Sequence, residues 1–216
     1  WIDGLMRNET ILDAVEDLIG PDILCWNSVF WIKEASSPSY VGWHQDLEYW
    51  GLSSAEVVSI WIALSDASED AGCMSVIPGS HKYVIPHNET YAEDNLLSRG
   101  QELEIDLRRQ STVAMPLEAG QVSFHNVRTA HGSGPNSTLD RRIGLSFHYM
   151  PTHTKQTLAE WDTAALVRGE DQHHNFEHCP QPAYDLEPAA VEFHKRAADA
   201  MRQIIYAGAR TDQPTL

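Results

Sequence analysis

Within Trp43–Leu52, WHQDLEYWGL, a histidine and an aspartate stand two positions apart among large aromatic residues. On an extended strand or turn, side chains at i and i+2 leave the same side of the backbone. His44 and Asp46 would then bring an imidazole and a carboxylate to one point. Two donors make a weak metal site, so a third is needed. His131 follows the strand-like GQVSFHN and opens the tight turn HGSGPNS, which can lift a side chain over the end of a barrel. Two histidines and one carboxylate on one face of a metal leave the opposite face open, the ligand set of oxygen-activating non-haem Fe(II). A solvent-exposed polar pair would show the same His-x-Asp spacing, so the argument rests on the combination of the three.

The elements that must hold these residues are mostly short strands. ILCWNSVFWIK (23–33), EVVSIWIALSD (56–66), GCMSVIP (72–78), STVAMP (111–116), GQVSFHN (120–126) and RIGLSFHYM (142–150) are rich in β-branched and aromatic residues. Gly, Pro, Ser and Asn clusters separate them. Little alternates with helix over 23–150, apart from a short helix expected within 90–98. A sandwich or barrel is therefore expected rather than a βαβ fold. Helices flank this core. Residues 10–20 show helical periodicity, with Thr10 and Asp13 resembling a capping box. Leu158, Trp161, Ala165 and Leu166 would share one helical face. Glu187-Pro188 starts a longer helix, with Val191, Ala198, Met201 and Ile205 turned inward and Gly208 as its stop.

The 216 residues suit one domain, and seven Trp and seven Tyr supply large pieces for its core. The formal net charge of −16 argues against unaided binding to nucleic acid or an anionic membrane, since phosphates need a basic patch. No apolar run is long enough to span a bilayer. Cys25, Cys73 and Cys179 are odd in number and widely spaced, which fits a reducing compartment and a cytoplasmic location. The chain opens on Trp1 rather than Met, so a preceding segment is expected to be missing.

Three blocks, WHQDLEYW, VSIWIALSDASEDAGCMSVIPGSHK and AGQVSFHNVRTAHGSGPNSTLDRRIGLSFHYMP, resemble the phytanoyl-CoA dioxygenase family in composition and order. The resemblance runs from about Phe30 to Pro151. It implies a mainly β chain with a double-stranded β-helix (jelly roll, cupin-like) core at about 23–151. Helical additions at 1–20 and 155–208 would complete a single oxygenase domain over 1–216. It also implies Fe(II), 2-oxoglutarate and O2 as the reacting partners. The family's metal ligands fall on His44, Asp46 and His131. Its cosubstrate arginine, eleven positions after the distal histidine, falls on Arg142, with Arg141 pointing to the other face. Its cosubstrate serine falls on Ser133, and Trp61 matches a tryptophan lining the cosubstrate pocket. The physical reading agrees: a far carboxylate suits a rigid guanidinium fork, and an arginine in a core strand is costly unless an anion meets it. The implied reaction decarboxylates 2-oxoglutarate to succinate and hydroxylates an unactivated C–H bond of a small organic metabolite. Halogenating relatives replace the carboxylate ligand by a small residue; retention of Asp46 favours hydroxylation.

A non-catalytic cupin-like metal-binding or sensing module is the alternative, and a zinc- or manganese-dependent hydrolase or isomerase is a third. Neither needs the dicarboxylate clamp of Arg142 and Ser133. No dense basic cluster suits a CoA phosphate. Gln45, between the ligands, is expected to face away from the metal as a structural hydrogen bonder. Tyr49 and Trp50 could wall a pocket or cap the core. Residues 83–103, the longest stretch without an expected strand, could be a lid or a surface excursion, with Arg99 either meeting an anion or solvated. HHNFEHC (173–179) carries zinc donor types, yet no second block completes four ligands, and a solvated loop is expected. His125 and His148 are expected to be core histidines, and Ser80-His81 to fix a turn.

Overall fold

The computed structural model describes residues 1–209. Helices α1 (Ile2–Met6) and α2 (Glu9–Ile19) precede strands β1 (Ile23–Lys33) and β2 (Val41–His44) and the one-turn α3 (Leu47–Trp50). Then come β3 (Val58–Ala63), β4 (Met74–Val76), β5 (His87–Glu89), β6 (Gln101–Leu103), β7 (Val113–Met115), β8 (Val122–Asn126), β9 (His131–Ser133) and β10 (Arg142–Pro151). Strands β11 (Thr163–Arg168) and β12 (Glu177–His178) and helix α4 (Pro188–Ile205) complete the order. The fold is mainly β, a double-stranded β-helix core with flanking α-helices. No helix of the described residues is long and apolar enough to cross a membrane.

The chain divides into two compact units. The first takes in Trp1–Ser28, Tyr49–Ser59 and Phe147–Gly208. Here the N-terminal half of β1 pairs antiparallel with β11, with Leu24 opposite Leu166 and Cys25 opposite Ala165, and β12 runs parallel to β11. Ile11, Leu12 and Val15 form the buried stripe of α2. Its N-cap is Asn8, whose side chain accepts from the Ile11 N–H at 3.3 Å, so the expected Thr10 capping box is replaced by a cap two residues earlier.

The expected helical face through Leu158, Trp161, Ala165 and Leu166 is overturned: Thr163–Arg168 is β11. Local propensity favours helix for Ala-Ala-Leu, but the ladder with β1 buries Ala164 and Ala165 instead. The helical addition expected over 155–208 therefore reduces to α4. On α4 Ala198 is exposed, and Ile204 rather than Ile205 is the buried residue.

The second unit takes in Val29–Glu48 and Ile60–Ser146 and carries every residue expected at the site. One sheet of this unit orders the C-terminal half of β1, the N-terminal half of β10, β3 and β8. The other orders β2, β9, β4 and β7. Trp61 and Ala63 of β3 pack with Trp31 of β1, Ala114 of β7, Ala67, Cys73 and Leu117, so apolar side chains from both sheets meet in one core. The short helix expected within 90–98 is absent. Instead β5 and β6 form a two-stranded hairpin, His87 opposite Leu103 and Glu89 opposite Gln101, and residues 90–100 are its turn. Asn95 bridges to Tyr40, and the Asn95 Oδ1 accepts from the Gly42 N–H at 3.2 Å. The Asp94 carbonyl accepts from the Tyr40 N–H and the Leu96 N–H donates to the Tyr40 carbonyl, both at 2.9 Å, so these backbone groups of the turn are satisfied without a helix.

Candidate metal centre

His44 is the last residue of β2 and His131 the first of β9, and they are register partners in one antiparallel pair. Strand β4 flanks β9 on its other side, with Val76 opposite His131. The strand stops at His44, so Asp46 arrives by a turn into α3 rather than by strand alternation. Its N–H donates to the Val127 carbonyl at 3.1 Å. The turn brings Asp46 Oδ1 to 3.2 Å from His44 Nε2. The imidazoles of His44 and His131 have centroids 4.2 Å apart. One donor atom from each of His44, Asp46 and His131 lies within 4.8 Å of the other two, and all three residues are buried.

The other nitrogen of each ring is spoken for. His44 Nδ1 lies 2.8 Å from the Gly42 carbonyl and His131 Nδ1 2.9 Å from the Thr129 carbonyl. A carbonyl accepts only from N–H, so both Nδ1 atoms carry a proton, which leaves the Nε2 atoms as the nitrogens that face a metal. Burial, and then the neighbouring His44, push the His131 pKa down to about 4, so its ring is neutral and metal-ready at neutral pH. Two neutral imidazoles and a carboxylate fit a divalent transition metal with open positions.

Arg142 opens β10 and is 2 % exposed, yet its Nε and Nη2 are buried with no hydrogen-bond partner. Its guanidinium lies 5.3 Å from the Trp61 ring centroid, a cation–π distance. Burial pushes its pKa down to about 10. The indole of Trp61 lies against Gly144, where a Cβ would fall 1.9 Å from Cζ2; only glycine leaves room for it. Arg141 points the other way, as expected, and pairs with the exposed Glu34 at 2.7 Å. Ser133 Oγ accepts from Lys33 Nζ at 2.6 Å.

Lys33 was not expected here. Its ammonium is fully buried and reaches the carbonyls of Gly72 at 3.5 Å, Ser133 at 3.4 Å and, in close contact, Gly134. No carboxylate of the described residues pairs with it. Burial, and then the charge of Arg142, push its pKa down to about 7. Because the folded pKa is lowered from 10.5, the unfolded chain binds the extra proton between about pH 7 and 10.5. Stability contributed by Lys33 therefore rises with pH through that window, by at most about 1.4 kcal/mol per unit. Urea unfolding of Lys33→Met between pH 7 and 9.5 is expected to show a flatter pH slope than the parent chain. An identical slope would mean that Lys33 is not the buried cation responsible.

Gln45 is a structural hub, as expected. Its Nε2 donates to the carbonyls of Ser80, Tyr83 and Arg128 at 3.3, 2.9 and 2.6 Å, and its Oε1 accepts from the Ile85 N–H at 2.8 Å. Ser80 opens a short 3-10 turn through Lys82, and its hydroxyl donates to the Ile77 carbonyl. Arg99 is neither solvated nor open to an anion, because it pairs with Glu89 across the hairpin. Trp50 belongs to an aromatic cluster in the first unit, 5.1 Å from Trp26 and 4.4 Å from His148. His148 also bonds Ser59 at 2.9 Å, in keeping with a core histidine. In HHNFEHC, Asp171 accepts from the His173 and His174 N–H groups and meets His178 at 2.8 Å. Among the described residues, only His44, Asp46 and His131 form a metal-competent cluster. His125 sits closer to the centre than expected, its ring 4.7 Å from that of His131 and its Nε2 4.0 Å from Asp46 Oδ2. His87, which the sequence did not single out, accepts the Gln45 N–H on its Nε2 at 2.9 Å.

A jelly roll with two histidines and a carboxylate at the end of a strand pair, and a bare arginine in the facing sheet, defines a non-haem 2-oxoglutarate oxygenase type of architecture. The family model for phytanoyl-CoA dioxygenase (PhyH) matches residues 3–144. A probable alpha-ketoglutarate-dependent hypophosphite dioxygenase of Stutzerimonas stutzeri is 37% identical over 149 residues, which are 67% of this chain and 51% of that protein. The apo structure of the non-heme monooxygenase ThoJ superposes with a TM-score of 0.84 at 34% identity, covering 95% of this chain and 75% of that one. The epimerase SnoN, solved with Fe3+, alpha ketoglutarate and nogalamycin RO, gives a TM-score of 0.58 at 26% identity over 72% of this chain and 60% of that one. The chain belongs to the phytanoyl-CoA dioxygenase family. It spans about half the length of the curated relatives it matches.

Proposed function

We propose that this chain is an Fe(II)- and 2-oxoglutarate-dependent dioxygenase that hydroxylates an unactivated C–H bond of a small organic metabolite, converting 2-oxoglutarate to succinate and CO2. The observation that carries the reading is the buried guanidinium of Arg142, with Nε and Nη2 lacking hydrogen-bond partners, in the same unit as the His44–Asp46–His131 cluster. A buried cation without an anion is a standing cost, and a dicarboxylate cosubstrate removes it. A sensing module would need the three metal donors but not this cation, which separates the two classes.

His44, Asp46 and His131 would hold the ferrous ion. When bound, iron supplies the redox chemistry that couples decarboxylation of the keto acid to insertion of oxygen into the substrate. The rest falls to the chain's own side chains. Arg142 would fork onto the far carboxylate of 2-oxoglutarate, with Ser133 as a hydroxyl donor and Lys33 as a second positive charge. Trp61 would wall this pocket and hold the guanidinium plane. The Gly42 and Thr129 carbonyls hold the two rings by Nδ1 and so turn their Nε2 atoms toward the metal. Asp46, retained as a carboxylate, occupies the position that a halide would need.

The name of one relative specifies hypophosphite, and another protein was solved with nogalamycin RO. These differ so widely that neither transfers to this chain. A small-molecule partner, rather than nucleic acid or membrane, agrees with the net charge of −16. Residues 1–216 are proposed to be one oxygenase domain, since β1, β3 and β10 each contribute residues to both units. The location is proposed to be cytoplasmic, in keeping with three free cysteines.

The test is stoichiometric. With ferrous iron, 2-oxoglutarate and a metabolite library, oxygen uptake and succinate release are expected in equal amounts, stimulated by the true substrate. Metal binding with no succinate under any condition would favour the sensing module.

A further inference from the structure

The segment 83–103 has the length and position in sequence of a lid, but it is not built as one. Strand β5 begins at His87, and the His87 Nε2 accepts the N–H of Gln45, the residue between the two metal donors of the His-x-Asp turn. The Ile85 backbone bonds the same ring. Ile85 also donates its N–H to Gln45 Oε1 at 2.8 Å, so residues 85 and 87 grip both the backbone and the side chain of Gln45. The rest of the hairpin is stitched to β2. The Tyr40 N–H donates to the Asp94 carbonyl and the Leu96 N–H to the Tyr40 carbonyl, both at 2.9 Å. Asn95 takes the Gly42 N–H, and Tyr40 Oη donates to Glu102 Oε1 at 3.0 Å. A Cβ on Gly42 would fall 2.5 Å from the Gln101 carbonyl, so β2 and β6 lie too close for any side chain there.

We propose that the β5–β6 hairpin is a fixed clamp on the metal-binding turn and that His87 is its positioning residue, holding the backbone between His44 and Asp46 through the Gln45 N–H. This rests on the assignment of His44, Asp46 and His131 as metal ligands. A rotation of the peptide that carries the Gln45 N–H would move both flanking side chains at once, so an acceptor fixed at that N–H sets the separation of two donors. The acceptor must sit where Nε2 sits. Glutamine places its side-chain oxygen at about that reach; asparagine places it one bond short; phenylalanine keeps the ring volume and offers no acceptor.

The experiment is Co(II) titration of the full chain by calorimetry, with apo-protein folding followed by circular dichroism. The parent chain, Asp46→Ala, His87→Phe, His87→Asn and His87→Gln are compared. His87→Phe and His87→Asn are expected to weaken Co(II) binding by about tenfold or more, the scale of lost outer-sphere support. His87→Gln is expected to stay within about threefold of the parent. The proposal is overturned if His87→Phe and His87→Asn bind as tightly as the parent, or if His87→Gln is as weak as they are. Should His87→Phe fail to fold, the contrast between His87→Gln and His87→Asn decides. A parent chain that binds no Co(II), or an Asp46→Ala chain that binds as well as the parent, would instead overturn the metal centre itself.

Discussion

Asp46→Ala is expected to reduce 2-oxoglutarate turnover by about a thousandfold or more and to weaken divalent metal binding by about a hundredfold, with the fold retained. Asp46 is the single anionic donor of the cluster, and its two oxygens lie between His44 and His125. Without it, two neutral imidazoles remain, and neither supplies the charge that offsets a dication. The fold should survive because Asp46 ties into the turn through its backbone, whose N–H donates to Val127, and alanine keeps that bond. Succinate formation and metal calorimetry, set beside the thermal melt of the apo-protein, measure all three. Turnover equal to that of the parent chain would refute the assignment.

Arg142→Met separates the cosubstrate from the metal. The apparent KM for 2-oxoglutarate is expected to rise by about a hundredfold, equivalent to about 3 kcal/mol for a lost charge-assisted fork. Metal affinity should stay within about threefold, because Arg142 makes no contact with His44, Asp46 or His131 among the contacts described. Arg142→Lys should recover little, since a point charge cannot reproduce the bidentate geometry. The apo-protein gives an independent readout. Two of the guanidinium nitrogens are buried without partners, so methionine of similar length is expected to leave the empty protein as stable or more stable. Succinate release measured against 2-oxoglutarate concentration checks the first claim and urea unfolding the last. An unchanged KM would remove the clamp from the mechanism.

Much of the core was legible because long strands carry their pattern in their own residues. Ile23–Lys33 and the stretch from Arg142 were read to within a residue, since β-branched and aromatic side chains dominate both. The shorter strands β2 and β9 were not read as strands. With four and three residues they are too brief to show alternation, and tertiary pairing alone makes them regular. Residues 163–168 misled in the opposite direction, because an alanine-rich spacing that suits a helix was recruited as a partner for β1. The convergence of His44, Asp46 and His131 was expected from motif order before any coordinates, and the structure brings the three together; the cosubstrate roles of Arg142, Ser133 and Trp61 are proposals. Lys33 and His87 could not be expected in this way. One acts through carbonyls more than 35 positions away and the other through a backbone N–H, and neither partner leaves a mark on local sequence.

The pairing of His44 with His131 on one rung of the β2–β9 ladder has a consequence for engineering. Their spacing is dictated by main-chain geometry, so it is expected to tolerate changes in segments that touch neither this ladder nor the β5–β6 hairpin. Retargeting the protein to new molecules can begin by grafting such segments, with the reactive core inherited unchanged.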